Sequence, residues 1–241
     1  MLINTFPQAL TAEDKWTTEE IKTSGTWTVP TGVSEIEVML FGGGAGGSSH
    51  RGGGSGYKAA AKLEVASNEA IAVVIGAGGN INADGGQTKF GNALYADGGK
   101  SNGDGFAGGG VIYKGGTSGL DGVVALGGKA QAHGGGAGGS IDTNGGGLRG
   151  APSISALGGA GGSQSGFDNY GTGGGGGENG GNGGDGNSST AGGGGGYGSI
   201  KLASGAGSSG GLGYGAGGGG GSNVQGKGAP GICVIKYRKA M

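Results

Sequence analysis

The sequence predicts a mainly β protein, a small β-sandwich framing an inserted bundle of polyglycine II helices. Three observations lead there. Of 241 residues, 75 are glycine, against about 7% in ordinary chains. The glycine is uneven: residues 1–24 contain none, whereas 98–230 is mostly tracts broken by short islands. Segments with strand chemistry lie on both sides of that region, so its two ends are tied to one set of strands.

Residues 1–24 stand apart as an attachment segment ahead of a domain spanning 25–241. Thr11 followed by Asp14 resembles a capping box. That predicts a short helix over roughly 12–22, with an extended attachment segment as the other possibility. Leu10, Trp16 and Ile21 are its apolar members. A helix that short is marginal alone in water, so these three residues are candidates for attachment to a partner chain or to the following domain.

Strands are predicted over 25–97 and 231–238. GTWTV (25–29) precedes a Pro-Thr-Gly turn, and SEIEVMLF (34–41) alternates polar with apolar residues. AAAKLEV (59–65) and AIAVVIG (70–76) flank the polar turn VASNEA and read as a hairpin. TKFGNALYA (88–96) reads as one or two short strands. GICVIKYR (231–238) is rich in β-branched residues, with Ile232 and Val234 on one face and Cys233 and Ile235 on the other. Cys233 is therefore expected as a buried core thiol.

The bundle is predicted over 98–230, with islands at 111–113, 123–126, 153–157, 167–170 and 199–202. In 173–189, positions 174, 177, 180, 183 and 186 are all glycine, and positions 179, 182, 185 and 188 carry Asn, Asn, Asp and Ser. Three residues per turn is the period of the extended left-handed helix known from polyproline. Such a helix makes no internal hydrogen bonds, so its N–H and C=O groups point sideways. Without Cβ atoms, several can approach and bond to one another. Ordering a residue costs roughly 1–2 kcal/mol, and a net hydrogen bond returns about 0.5–1.5. A lone tract loses that balance; a bundle clamped by a sandwich can win it. Small-residue tracts recur at 42–47, 133–140, 157–163, 190–198 and 215–222. The alternative is a flexible glycine-rich linker. Apolar islands at these intervals and the return to a C-terminal strand argue against it.

Other classes fall away on composition. Collagen needs glycine at every third position and abundant proline; here glycines run five in a row and there are 4 prolines. A formal net charge of −1 gives no basic surface for nucleic acid or an anionic membrane. A single cysteine forms no internal disulfide. The start, MLINTFPQALTAEDK, has neither a basic region nor an apolar run of signal-peptide length, and no segment approaches the ~20 apolar residues of a membrane span.

Site motifs are equally sparse. GGGAGG follows a strand, but no amphipathic helix and no Gly-Lys-Ser/Thr ending come after it, so a phosphate cradle is not expected. GGNGGDGNSS lacks the regular repeats of a calcium-binding nonapeptide array. His50 and His133 each stand alone, without metal-ligand spacing. No Ser/His/Asp or Cys/His arrangement is suggested. The expectation is a protein with no cofactor and no metal, and not an enzyme.

The aromatic and polar residues of the islands remain. Large side chains do not fit inside a glycine bundle, so they belong at tips, on outer faces or against the sandwich. Tyr among Ser, Gly and Asn is also the composition of recognition loops. The segments SQSGFDNYG (163–171), SNGDGFA (101–107) and GLRGAPSIS (147–155) fit best. The binding candidates are Phe106, Tyr113, Arg149, Phe167, Asp168, Asn169 and Tyr170. Aromatic plugs capping the bundle are the structural alternative for each aromatic member.

The stretch GTWTVPTGVSEIEVMLFGGGAGGSSHRGGGSGYKAAAKLEV, with the later AVVIGAGG, GGQTKFG and GAPGICVIKY, resembles the glycine-rich domain found at the receptor-binding ends of bacteriophage tail fibres. The resemblance covers residues 25–238 and rests on the order of these elements. It implies β-strands framing polyglycine helices in a fibre-tip adhesin. It also implies a bacterial surface receptor, either an outer-membrane protein or a surface glycan, held by loops at the distal end of the bundle. The expected place is the virion, after synthesis in the host cytoplasm without a signal peptide. Another tail-fibre protein would be the partner of the N-terminal segment, with no nucleic acid and no membrane insertion. The alternatives are a structural fibre or baseplate component without receptor contact and, more remotely, ice binding by a flat glycine face.

Overall fold

The computed structural model describes residues 16–47, 53–101, 107–108, 111–113, 140–141, 147–148, 213–218 and 226–239. The architecture is mainly β and sandwich-like, with two antiparallel five-stranded sheets. Strands β1 (Thr17–Ile21), β2 (Gly25–Thr28), β3 (Glu35–Phe41), β4 (Lys58–Glu64), β5 (Ala70–Val74), β6 (Thr88–Phe90) and β7 (Leu94–Ala96) come first. They are followed by β8 (Ala107–Gly108), β9 (Val111–Tyr113), β10 (Ser140–Ile141), β11 (Gly147–Leu148) and β12 (Ile232–Tyr237). One sheet has the order β1-β12-β3-β4-β9 and the other β2-β5-β6-β7-β8, while β10 and β11 form a two-stranded ladder.

The last strand lies in the middle of the first sheet. It pairs on one side with β3, from Ile232 opposite Phe41 to Tyr237 opposite Ile36, and on the other side with β1. The expected closure of the glycine region by a C-terminal strand is what the chain does. Alternation decides which residues go between the sheets. Ile36, Val38 and Leu40 of β3 meet Cys233, Ile235 and Tyr237 of β12, and face Trp27, Val73, Phe90, Leu94 and Ala96 of the second sheet. The opposite face of the first sheet buries Phe41, Ile232 and Val234, with Met39 and Tyr214 against them. Because β12 is covered on both faces, it reads as a continuous apolar run rather than an alternating one. Burying each such aliphatic side chain contributes about 1.5–3 kcal/mol. Cys233 is free and fully buried, as its position in that run predicts.

Two expectations are corrected. The helix over 12–22 gives way to strand β1 at Thr17–Ile21; residues 1–15 lie outside the described residues. Glu19 and Ile21 turn inward while Thr18 and Glu20 stay exposed, which is a period of two. The pattern is hidden in the sequence because one inward residue is a glutamate. Its carboxylate is satisfied from within: the Trp27 indole donates from Nε1 to Glu19 Oε2 at 2.8 Å, and the Tyr237 hydroxyl donates to Oε1. Pairing to a buried strand then outweighs a weak local helix preference.

The second correction concerns the hairpin at VASNEA. β4 pairs with β3 and β9, whereas β5 pairs with β2 and β6, so the two strands belong to different sheets. The tight turn forms, with Glu69 N donating to Ala66 O and Asn68 in the left-handed region at φ 64°. It is also tied to the turn after β2: Asn68 N donates to Val29 O, Val29 N to Glu69 O, and Gly32 N to Ser67 Oγ. Those bonds swing β5 onto β2 and away from β4.

The described glycine segments leave from one end of the sandwich. Phe41, Lys58 and Ile232 lie side by side in the first sheet. They lead directly to the segments 42–47, 53–57 and 226–231. Val74, Lys89 and Tyr95 are neighbours at the same end of the second sheet, which opens onto 76–80, 83–87 and 97–100. At the other end of the first sheet lie Thr17, Tyr237, Ile36 and Leu63. The described chain therefore begins at Trp16 and ends at Lys239 on the side away from the glycine.

Candidate functional site

Residues 42–47 are buried without contributing a side chain larger than a methyl group. What holds them is main-chain hydrogen bonding that rotates through three partners. Gly42 N donates to Tyr57 O, Gly43 N to Gly86 O and Gly44 N to Ala229 O. The cycle then repeats, with Ala45 N to Gly54 O, Gly46 N to Ala83 O and Gly47 N to Gly226 O. Three residues along this segment the same neighbour returns, three residues earlier in its own numbering, so all three neighbours run antiparallel. The carbonyls point to three further segments: Gly99 N donates to Gly43 O, Gly79 N to Gly44 O and Gly218 N to Ala45 O. One segment is thus enclosed by six others.

The rule extends outward. Gly53 and Gly56 donate to Gly218 and Gly215, Gly54 and Tyr57 to Lys100 and Asp97, and Gly228 and Gly231 to Gly79 and Gly76. Burial follows the same beat at the margin: Gly76 and Gly79 are buried while Ala77 and Asn80 are exposed, and Gly226 and Ala229 are buried while Lys227 and Pro230 are exposed. Buried main-chain groups must be paired, and here the pairing comes from neighbouring segments rather than from a ladder or a helix.

The spacing leaves no room for Cβ atoms at the contact points. A methyl group on Gly44 would stand 1.8 Å from Ala216 O, and one on Gly228 would stand 1.9 Å from Gly44 O. Ala45 and Ala216 in the same segments are fully buried, so a methyl is accommodated where it points between segments and excluded where it meets a carbonyl. Polar side chains close the rim. Asp84 accepts from Lys100 Nζ at 2.8 Å, from Ser101 N at 2.8 Å and from Ser101 Oγ at 3.1 Å. Burial pushes the Asp84 carboxyl up, but the Lys100 and Ser101 bonds together outweigh it and hold the pKa below the usual value. Gln87 donates to Asp97 across two segments.

Of the sequence candidates, Tyr113 falls on β9, opposite Lys58 of β4. Phe106, Arg149, Phe167, Asp168, Asn169 and Tyr170, and Leu10 of the attachment group, lie outside the described residues. The remaining two attachment candidates separate. Ile21 packs against the inter-sheet core, whereas Trp16 is 42% exposed, with the Arg238 guanidinium 4.2 Å from its ring centre. Sequence reasoning missed the Glu19, Trp27 and Tyr237 cluster, whose only signal was a tryptophan and a tyrosine on predicted strands. It also missed the basic end at Arg238 and Lys239. Among the described residues, no group of three or more His, Cys, Asp or Glu side chains is placed to hold a metal ion, and no helix is long and apolar enough to cross a membrane.

A family model described as a glycine-rich domain matches residues 17–238. No curated protein sequence matches the chain.

Proposed function

We propose, for a chain that belongs to the glycine-rich domain family, that its glycine tracts form a bundle of polyglycine II helices. On this reading the bundle presents recognition loops at the tip of a bacteriophage tail fibre. The observation that carries the reading is the polarity of the molecule: the described chain begins and ends at one pole of the sandwich, and the described glycine segments leave from the other. A tip adhesin needs that arrangement, with attachment at one end and variable loops at the far end of a stiff scaffold. The three-residue hydrogen-bond cycle of 42–47 supports the helix type, since that is its period.

In this reading the receptor is a bacterial surface molecule, an outer-membrane protein or a surface glycan. The contacts come from 101–107, 147–155 and 163–171, with Phe167, Asp168, Asn169 and Tyr170 at their centre. The protein acts by binding and carries out no chemistry of its own. Purified protein is expected to bind host cells, and aromatic-to-alanine changes at Phe167 and Tyr170 to weaken that binding without changing the melting temperature. Undiminished binding after replacement of all three segments would sink the adhesin reading. The second reading, a structural fibre or baseplate part, draws on the same hydrogen-bonded segments, which suit a stiff spacer equally well. It expects those three segments to be dispensable for attachment.

A further inference from the structure

Strand β1 is placed to carry tension between the two poles of the molecule. It starts at Thr17, at the pole where the described chain begins, and runs toward the glycine segments, ending at Ile21. Its partner β12 runs the opposite way, with Thr17 opposite Tyr237 and Ile21 opposite Cys233. Among the described residues β12 is its only strand neighbour. After Ile21 the chain crosses through 22–24 to β2 in the other sheet. Ile75 N donates to Ser24 Oγ at 2.9 Å, which fixes that crossing at the glycine end. β2 then returns toward the first pole, from Gly25 opposite Val73 to Thr28 opposite Ala70.

These directions make the resistance of the strand depend on where it is pulled. Ladder hydrogen bonds lie perpendicular to antiparallel strands. A pull at Trp16 directed away from the glycine segments acts along β1, so the bonds of the whole β1–β12 ladder share the load and fail together. A pull that separates the two chain ends opens the Thr17–Tyr237 pair first and the other pairs one after another. Glu19 locks the middle of the strand. It accepts from Trp27 Nε1 of the opposite sheet at 2.8 Å and from the hydroxyl of Tyr237 on the neighbouring strand. Ile21 packs into the inter-sheet core, whereas Thr17, Thr18 and Glu20 are exposed. Directional bonds, more than non-directional apolar burial, therefore hold β1 in place.

We propose that β1 is a tension-bearing anchor strand. The domain resists a pull between Trp16 and the glycine segments by shear of β1 against β12, locked at Glu19, and yields readily to a pull between its two ends. Once β1 slips, β2 is loaded from its Gly25 end against its own direction and peels from β5, so β1 is the principal barrier. The property belongs to the sandwich and uses none of the loop residues. Only its consequence, that a tip held by a receptor passes tension along this axis, rests on the adhesin reading.

The test is single-molecule force spectroscopy on the full chain in two pulling geometries. One handle is at the N-terminus in both; the second is on Ile81→Cys in the first geometry and at the C-terminus in the other. Ile81 is 42% exposed and lies at the far end of the segment 76–80, where Asn82 N donates to Gly47 O. Cys233 is buried, so it does not take a handle in the native protein. Rupture between the N-terminus and Ile81→Cys should need a force at least about twofold above that between the two ends, because several bonds fail together rather than singly. Glu19→Ala should lower the first force toward the second. Glu19→Gln, which keeps one acceptor oxygen, should lower it less. Equal forces in the two geometries of the parent chain would overturn the proposal, whether or not the Glu19 variants fold. A folded Glu19→Ala chain that keeps the parent's higher force would also overturn it. Neither measurement reads host binding, so failure here leaves the adhesin reading standing, and the reverse holds as well.

Discussion

Gly44→Ala is a one-carbon change that the structure says the protein does not tolerate. The added methyl would stand 1.8 Å from Ala216 O, 2.3 Å from Ala216 C and 2.9 Å from Gly217 N. Ordinary contact begins near 3.4 Å, so the segments 42–47 and 215–218 must separate by about 1.5 Å at that point. Hydrogen bonds with N···O distances of 2.8 Å run from Gly44 N to Ala229 O and from Gly79 N to Gly44 O, and one of 2.9 Å runs from Gly218 N to Ala45 O. A displacement of that size breaks at least one or two of them. One broken bond leaves two buried groups unpaired at about 1–3 kcal/mol each, or about 2–6 kcal/mol in all. For a chain of this length 1 kcal/mol corresponds to about 2–4 °C in melting temperature, so the fall should be about 4–24 °C. The control is Gly25→Ala, where an added methyl meets nothing within 4 Å; it should stay within about 0.5 kcal/mol of the parent. Thermal unfolding by circular dichroism, with urea midpoints alongside, measures both. Similar melting temperatures for the two variants would refute the argument that tract glycines are required by close main-chain approach.

Further expectations follow from the sandwich. Glu19→Ala strips the acceptor from the Trp27 indole and the Tyr237 hydroxyl and should destabilise by about 2–4 kcal/mol in urea unfolding. Glu19→Gln, which keeps one acceptor oxygen, should cost less. Burial, reinforced by the hydrogen bond and charge of Glu19, pushes the Tyr237 phenol up to about 12 from 10.0, and burial alone pushes the Cys233 thiol up to about 12 from 9.0. Both groups bind their proton more tightly when folded. Their contribution is therefore fully present below pH 9, and it declines from about pH 9 for Cys233 and pH 10 for Tyr237 up to about pH 12. Stability measured against pH should fall across that window, with a smaller fall in Tyr237→Phe. Native Cys233 should stay unreactive toward an aromatic disulfide reagent at pH 8 and react at once in urea; fast native labelling would contradict its burial. Asp84 has a lowered pKa, so its contribution is present above pH 3.8 and is lost as the pH falls through the folded value. Asp84→Asn should flatten the acid limb of the stability curve.

Much of the β framework was legible because its residues obey period two. Ile36, Val38 and Leu40 announce the inward face of β3, and the apolar run at 232–237 announces a strand covered on both faces. The strand Thr17–Ile21 was not legible. Its inward glutamate reads as a surface residue until Trp27 and Tyr237 are brought to it from β2 and β12. The false hairpin arose from a turn correctly placed in sequence; which sheet receives the following strand depends on bonds from 66–69 to the turn after β2. Trp16 and Ile21, grouped by helical spacing, parted because a strand sends alternate residues to opposite sides.

The sequence alone determined the composition of the interior: apolar alternation for the sandwich, and small residues at short intervals for what grows from it. It also carries the match to the glycine-rich domain family over residues 17–238. Only the tertiary structure decided which glycines are indispensable, because a main-chain donor carries no label of its partner. Gly42, Gly43 and Gly44 are chemically identical, yet they bond to three different segments as distant as Ala229. The contact of Arg238 with the Trp16 ring is likewise a product of folding, since the two residues come from opposite ends of the described chain and meet only because β1 and β12 are neighbours in one sheet.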